Sequence, residues 1–313
     1  MNFKNKYTLL LLICFIIVPV TMLSCKDNNS QKKGAVKETL TSGSITLLTD
    51  NTVQPIIEDV LAVFYSVYPR ATIKQENKTE QEIIQALLKD SSVVAVLPRK
   101  LTKEEEAHFA NRKVKPRITE FGVDAIALIT NEKATDTVVH LEEVLKVLRG
   151  QASDKVKTLV FDNAGSSTVQ YLLQLAGVKN VPSKGVYALK TNEEVIKYVH
   201  DNNGAIGIVG VNWLVQPPSA LTQYVDKITV LGVDNVKIDK GRKVYYKPNQ
   251  SNIATGSYPL TRKLYVLNYQ GKQGLGMGFA TYISAREGQR IILKSGLLPV
   301  NIPEREIAVR NEL

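Results

Sequence analysis

The chain has 313 residues, of which 44% are hydrophobic and only 7% aromatic, which excludes bulk disorder and leaves room for two domains of ordinary size. Its two cysteines, Cys14 and Cys25, and its three histidines, His108, His140 and His200, have no ligand-like spacing, so neither a structural zinc site nor a cofactor is expected. A formal charge of +10 suits an anionic partner, yet the basic residues are scattered, as in Lys113-Val114-Lys115-Pro116-Arg117, without the clustered stripes that nucleic acid requires.

The N-terminus reads as a secretory signal peptide over residues 1–24: Lys4 and Lys6 precede an apolar run over 7–20 that is short for a spanning helix. Its removal lowers the charge to +8 and takes Cys14 with it, so the mature chain has no partner for an internal disulfide. Ser24-Cys25 resembles a bacterial lipobox, in which the cysteine becomes the lipidated first residue; Met22 stands where leucine is usual. The alternatives are a plain signal peptide or an uncleaved anchor. Residues 25–43 carry almost no large apolar side chains and are expected to form a disordered tether.

The body opens with a β-prone run, Ser44-Ile45-Thr46-Leu47-Leu48-Thr49, and the turn Asp50-Asn51-Thr52. Pro55 is compatible with the first turn of the helix that follows, whose apolar face is Ile56, Ile57, Val60, Leu61, Phe64 and Val67, with Pro69 as its stop. A strand at 71–73, a helix over 80–88 and the apolar run 92–97 continue a strand-helix alternation, which implies parallel strands with ligands at their carboxyl ends. Asp50–Thr52, Pro98-Arg99-Lys100 and Gly122-Val123-Asp124 are the polar loops expected there. Strands at 125–130 and 157–161 flank a helix over 139–148, and the second strand leads into Asp162-Asn163-Ala164-Gly165-Ser166-Ser167-Thr168. Val169, Leu172, Leu173 and Leu175 then recur at helical spacing, so these hydroxyls stand at a helix start, where they either cap the helix or hold an oxyanion. A helix over 192–199, strands at 204–209, 228–231 and 258–267, and one long amphipathic helix over 277–294 complete the body, which has no internal repeat.

Several segments together resemble the phosphate-binding proteins of bacterial phosphate ABC transporters, over about residues 44–300. They are Thr52-Val53-Gln54-Pro55-Ile56, Pro98-Arg99-Lys100-Leu101-Thr102-Lys103-Glu104-Glu105, Val123-Asp124-Ala125, Gly165-Ser166-Ser167-Thr168, Gly204-Ala205-Ile206-Gly207, Tyr258-Pro259-Leu260-Thr261-Arg262 and Glu287-Gly288-Gln289. The resemblance implies an α/β fold of the two-lobe type II periplasmic binding protein class, each lobe a mostly parallel sheet flanked by helices, with two hinge crossings. Lobe I would take residues 44–131 and 257–313, and lobe II residues 132–256. It further implies an oxyanion ligand, phosphate first, held by Thr52, the Val53 amide, Asp124, Ser166, Ser167 and Thr168, with delivery to an ABC permease from a lipid-anchored position on the cell envelope. Two positions depart from the family: Pro98 replaces a serine, and Asp162 replaces an arginine whose loss removes a bidentate cation. Arg99 is the residue expected to supply that charge, or else it is a solvated lip residue. A binding protein for another polar solute, a surface-interaction lipoprotein and a serine hydrolase are the rival readings. The last has neither a Gly-x-Ser-x-Gly elbow nor a histidine in a partner context.

If Cys25 carries lipid, the full-length protein partitions into detergent and Cys25→Ser does not, except through an uncleaved leader. Equal partitioning, with no acyl mass on the mature N-terminus, would refute the anchor.

Overall fold

The computed structural model describes residues 38–89, 93–239 and 241–303. The leader, Cys25 and the tether up to residue 37 lie outside the described residues. Strand β1 (Gly43–Asp50) passes through a single 3-10 turn into helix α1 (Gln54–Val67), where Ile56, Ile57, Val60, Leu61 and Phe64 are buried while Val67 is exposed beyond the apolar face. Strand β2 (Ala71–Lys78), helix α2 (Glu80–Leu88), strand β3 (Val94–Leu97) and helix α3 (Lys103–Asn111) follow. Both helices begin in capping boxes, Thr79 with Glu82 and Thr102 with Glu105, which satisfy the first-turn amides that a helix leaves unpaired. β1 lies between β2 and β3, parallel to both.

Strand β4 (Arg117–Asn131) is continuous through Gly122–Asp124, which the sequence marked as a loop. Gly122 is there for close packing: a Cβ would stand 3.1 Å from Ile292 and 3.2 Å from the Leu298 carbonyl. The rest of the chain supplies β5 (Val138–Val139), α4 (Leu141–Leu148), β6 (Thr158–Phe161), α5 (Ser167–Ala176), β7 (Val186–Ala188), α6 (Asn192–Asp201), β8 (Ala205–Gly210), β9 (Ile228–Val230), β10 (Gly232–Asp234) and β11 (Tyr245–Tyr246). It returns through β12 (Thr261–Asn268), α7 (Leu275–Ser284), α8 (Arg286–Lys294) and β13 (Leu298–Pro299).

The main sheet has the order β2-β1-β3-β12-β4-β8-β6-β7, with β9 and β13 also paired to β4, and β5, β10 and β11 form a small separate sheet. Its flanks are parallel, and β12 and β4 run antiparallel through the middle. β4 changes partner along its length: Arg117 to Ala125 pair with β12, and Ile126 onward with β8 and β9. The buried Tyr258 hydroxyl donates to the Ile126 carbonyl (2.6 Å), fastening the returning chain to β4 where the partner changes.

Two expectations are corrected. Part of the expected tether, residues 38–42, packs on the body: Glu38 accepts from the Leu275 amide (3.1 Å) at the start of α7 and from Lys272 (2.7 Å), a carboxylate at a helix N-terminus. The long helix expected over 277–294 is two helices, because Ala285 is extended (ψ 173°) and Gln289 donates to the Ile283 carbonyl (2.9 Å) at the end of α7. The turn is tight enough that a Cβ on Gly288 would stand 2.5 Å from the Ile283 Cα. Gly288→Ala is therefore expected to lose about 1–3 kcal/mol of stability in urea unfolding, and an unchanged midpoint would show that the turn can open.

Candidate binding site

The alternation places β1 beside β3 and β8 beside β6, on either side of β12 and β4, and polar residues that follow β1, β6 and β8 meet between the two pairs, as ligands do at the strand ends of open α/β sheets. β1 delivers Asp50 and Thr52, β6 delivers Asp162 and the Ser166–Thr168 helix start, and β8 delivers Asn212 and Trp213. From the antiparallel middle, register sets Arg262 of β12 directly opposite Asp124 of β4.

Arg262 is 4% exposed and holds the cluster together. One terminal nitrogen donates to the Ser167 hydroxyl (2.8 Å), and the other donates to Asp124 (2.5 Å) and the Thr52 hydroxyl (3.3 Å). Asp50 accepts from the Thr52 amide (2.9 Å), the Thr52 hydroxyl (2.5 Å) and the Ser167 hydroxyl (2.9 Å). The Thr52 and Ser167 hydroxyl oxygens, both of which point their protons at Asp50, lie 3.1 Å apart across 115 residues of chain, and the Trp213 indole donates to the Thr52 carbonyl (3.0 Å). Ser166 caps α5 by accepting from the Val169 amide and lies 2.9 Å from the Thr168 hydroxyl. Asn192 donates to Asp162 at 3.4 Å.

Seven further buried polar atoms here have no hydrogen-bond partner among the described residues: Asp50 Oδ2, Asp124 Oδ1, Asp162 Oδ1, Asn192 Oδ1, both amide atoms of Asn212, and Arg262 Nε. Buried polar groups are normally paired, so this concentration marks a place built to meet something other than itself. Five of the seven are acceptors. Burial pushes the Asp50 carboxyl up to about 6, against the opposing pull of Thr52 and Arg262. It also raises Asp124, opposed by Arg262, and Asp162, opposed by the Ser166 hydroxyl.

The predicted residues Thr52, Asp124, Ser166, Ser167 and Thr168 are brought together in this cluster, and Val53 is fully buried beside it. Arg99 is not the free charge it was expected to be: Glu80 (2.7 Å) and Glu105 (2.8 Å) hold its guanidinium. The buried cation is Arg262, which the sequence reading passed over. Its signal was legible, since Arg262 falls in phase with Leu260 and Leu264 on an alternating strand and so faces inward. Asp50 stood in an expected ligand loop without a role of its own, and Asn192, Asn212 and Trp213 were missed, each carried by a strand end or helix start whose neighbours only the fold supplies.

A sheet with this order, with polar strand-end loops converging on a buried cluster, defines a type II periplasmic binding protein fold. A profile of the PBP superfamily domain matches residues 34–287, and the chain belongs to that superfamily. The phosphate-binding protein PstS of Bacillus subtilis is 25% identical over 321 residues, covering 95% of each chain. Among solved structures, a putative phosphate ABC transporter substrate-binding protein with bound phosphate from Clostridium perfringens superposes with a TM-score of 0.68 at 18% identity, covering 83% of this chain and 100% of that one. An ABC-type phosphate transport receptor from Vibrio cholerae gives 0.61 at 17%, covering 82% and 100%. These similar proteins are named as binding proteins and receptors, not as enzymes.

The raised Asp50 carboxyl makes stability depend on pH. The native state holds that proton up to about pH 6 and the unfolded chain releases it near 3.8, so the contribution is fully present below about pH 4 and is lost as pH rises through 6. Asp124 and Asp162 act in the same direction. Urea unfolding should therefore show wild type more stable at pH 5 than at pH 7.5, by about 1.4 kcal/mol from Asp50. Asp50→Asn, which keeps the acceptor oxygen, should flatten that slope; an equal slope in both proteins would mean that Asp50 stays ionised.

Proposed function

We propose that this chain is an exported, lipid-anchored solute-binding protein that captures inorganic phosphate in its protonated form and delivers it to an ABC permease. The reading divides the chain into lobe I (44–131 and 257–313) and lobe II (132–256), which close on the ligand by hinging at β4 and at the segment before β12. The observation that carries it is the Asp124–Arg262 pair: a buried guanidinium with its Nε unspent, beside a carboxylate with Oδ1 unspent, facing the Thr52 and Ser167 hydroxyls and the start of α5. Arg262 donates to the anion, joined by the Thr52 and Ser167 hydroxyls as they turn their protons from Asp50, while Asp124 accepts the proton that phosphate carries near neutral pH and sulfate lacks. Arg262, which lies in a segment that resembles the family pattern, is then the cation that remains where Asp162 replaces the other arginine.

A second reading is favoured by one observation, the surplus of orphan acceptors over donors: three buried carboxylates face one guanidinium, which suits a neutral solute rich in hydroxyl or amino groups. The two readings separate in calorimetry on protein stripped of ligand. The phosphate reading expects binding at pH 6 that weakens toward pH 8, and no heat with sulfate. Ser167→Ala should weaken phosphate roughly ten- to a hundredfold, as expected for a hydrogen bond to a charged group. Asp124→Asn, which can donate, should narrow the gap between phosphate and sulfate. No heat and no thermal shift with phosphate would discard the assignment in favour of the neutral solute.

A further inference from the structure

The cluster around Arg262 opens into a cleft of about 690 Å³, far more room than a single tetrahedral anion fills and within the range of about 300–1,000 Å³ that small organic ligands occupy. Ser167 and Arg262, both more than nine-tenths buried, form its deep end. Its walls are largely carbon: Pro98 and Leu101 on one side, and Tyr171, Leu173 and Val178 along α5 and just beyond it on the other. Its mouth is cationic. Lys100 and Lys179 are exposed there, and the only carboxylate lining the cleft, Glu80, is held by Arg99. Among the described residues the lining has four cations, of which Arg99 is held by Glu80 and Glu105 and Arg262 meets Asp124, which leaves the two lysines as the cations of the mouth.

The lining thus combines a buried guanidinium and hydroxyl, apolar side chains interspersed with Thr102, Gln170 and Gln174, and two exposed lysines. A free phosphate ion uses only the first. We infer that the ligand of this chain is a phosphomonoester whose short carbon body carries a carboxylate, with the phosphoryl group at Ser167 and Arg262, the carbons between Pro98 and Tyr171, and the carboxylate at Lys100 and Lys179. The inference rests on the phosphoryl-binding reading above and narrows its substrate class. The electrostatics are consistent, because the rim cations offset a second negative charge that the acid-rich deep end would repel.

The test is calorimetry on ligand-free wild type with three probes: inorganic phosphate, glycerol 3-phosphate and 3-phosphoglycerate. The expected order is 3-phosphoglycerate tightest, at least tenfold tighter than inorganic phosphate, with glycerol 3-phosphate between. Lys100→Glu and Lys179→Glu change exposed side chains, so their unfolding midpoints should match wild type. They should weaken 3-phosphoglycerate about tenfold while leaving inorganic phosphate unchanged; Lys179→Gln should give a smaller loss in the same direction. Binding of inorganic phosphate as tight as that of either ester would overturn the inference and leave the phosphate reading standing. Equal loss for all three probes in the lysine variants would also overturn it, by showing that the rim attracts anions in general. If none of the three binds, both readings fail together.

Discussion

A guanidinium buried at the meeting point of two sheet halves is the constraint on which the rest of this structure depends. A guanidinium has donors and no acceptor, so Arg262 needs acceptors around it, and Asp124, Ser167 and Thr52 are placed accordingly. Removing a partner from such a pair is costly, because the charge that remains is left buried and uncompensated. The antiparallel pairing of β12 with β4 exists in just the register that puts Arg262 opposite Asp124, and the strand ends on either side bring the remaining partners within reach.

The cluster has more acidity than its one cation balances. Asp50, Asp124 and Asp162 all have raised carboxyls, and burial is the leading cause at each. Three buried carboxylates beside one guanidinium favour their protonated forms over a fully ionised cluster. The change of partner along β4 makes one strand common to both halves of the sheet.

The departures from the related phosphate-binding pattern leave the buried cluster with one guanidinium. Asp162 stands before the helix start that bears Ser166, hydrogen-bonded by Asn192. The guanidinium of the cluster comes from Arg262, in a segment that resembles the family pattern. Arg99, the candidate that the sequence offered, is committed to Glu80 and Glu105, where it ties the loop after β3 to the starts of α2 and α3.

Much of this protein was legible in its sequence. Apolar spacing, capping residues and prolines are local signals, and they marked α1, α2, α5 and the strands at 44–49, 157–161 and 204–209, and from these the α/β class. Ordered short motifs marked the binding-protein fold and the hydroxyl half of the site. Local signals failed where one residue serves two purposes. Gly122 read as loop punctuation, yet it lies inside a strand because Ile292 and the Leu298 carbonyl crowd it. Ala285 could have continued a helix, and a contact between Gly288 and Ile283 decided otherwise. The identity of the buried cation was of the same kind. Arg99 and Arg262 are both arginines beside polar loops, and what separates them is the partner each finds: two glutamates at helix starts for one, a buried aspartate across a strand pair for the other. Sequence sets which groups carry charge and which faces are apolar. Which charges meet depends on strand register and on contacts between residues more than a hundred positions apart, and only the folded chain determines those.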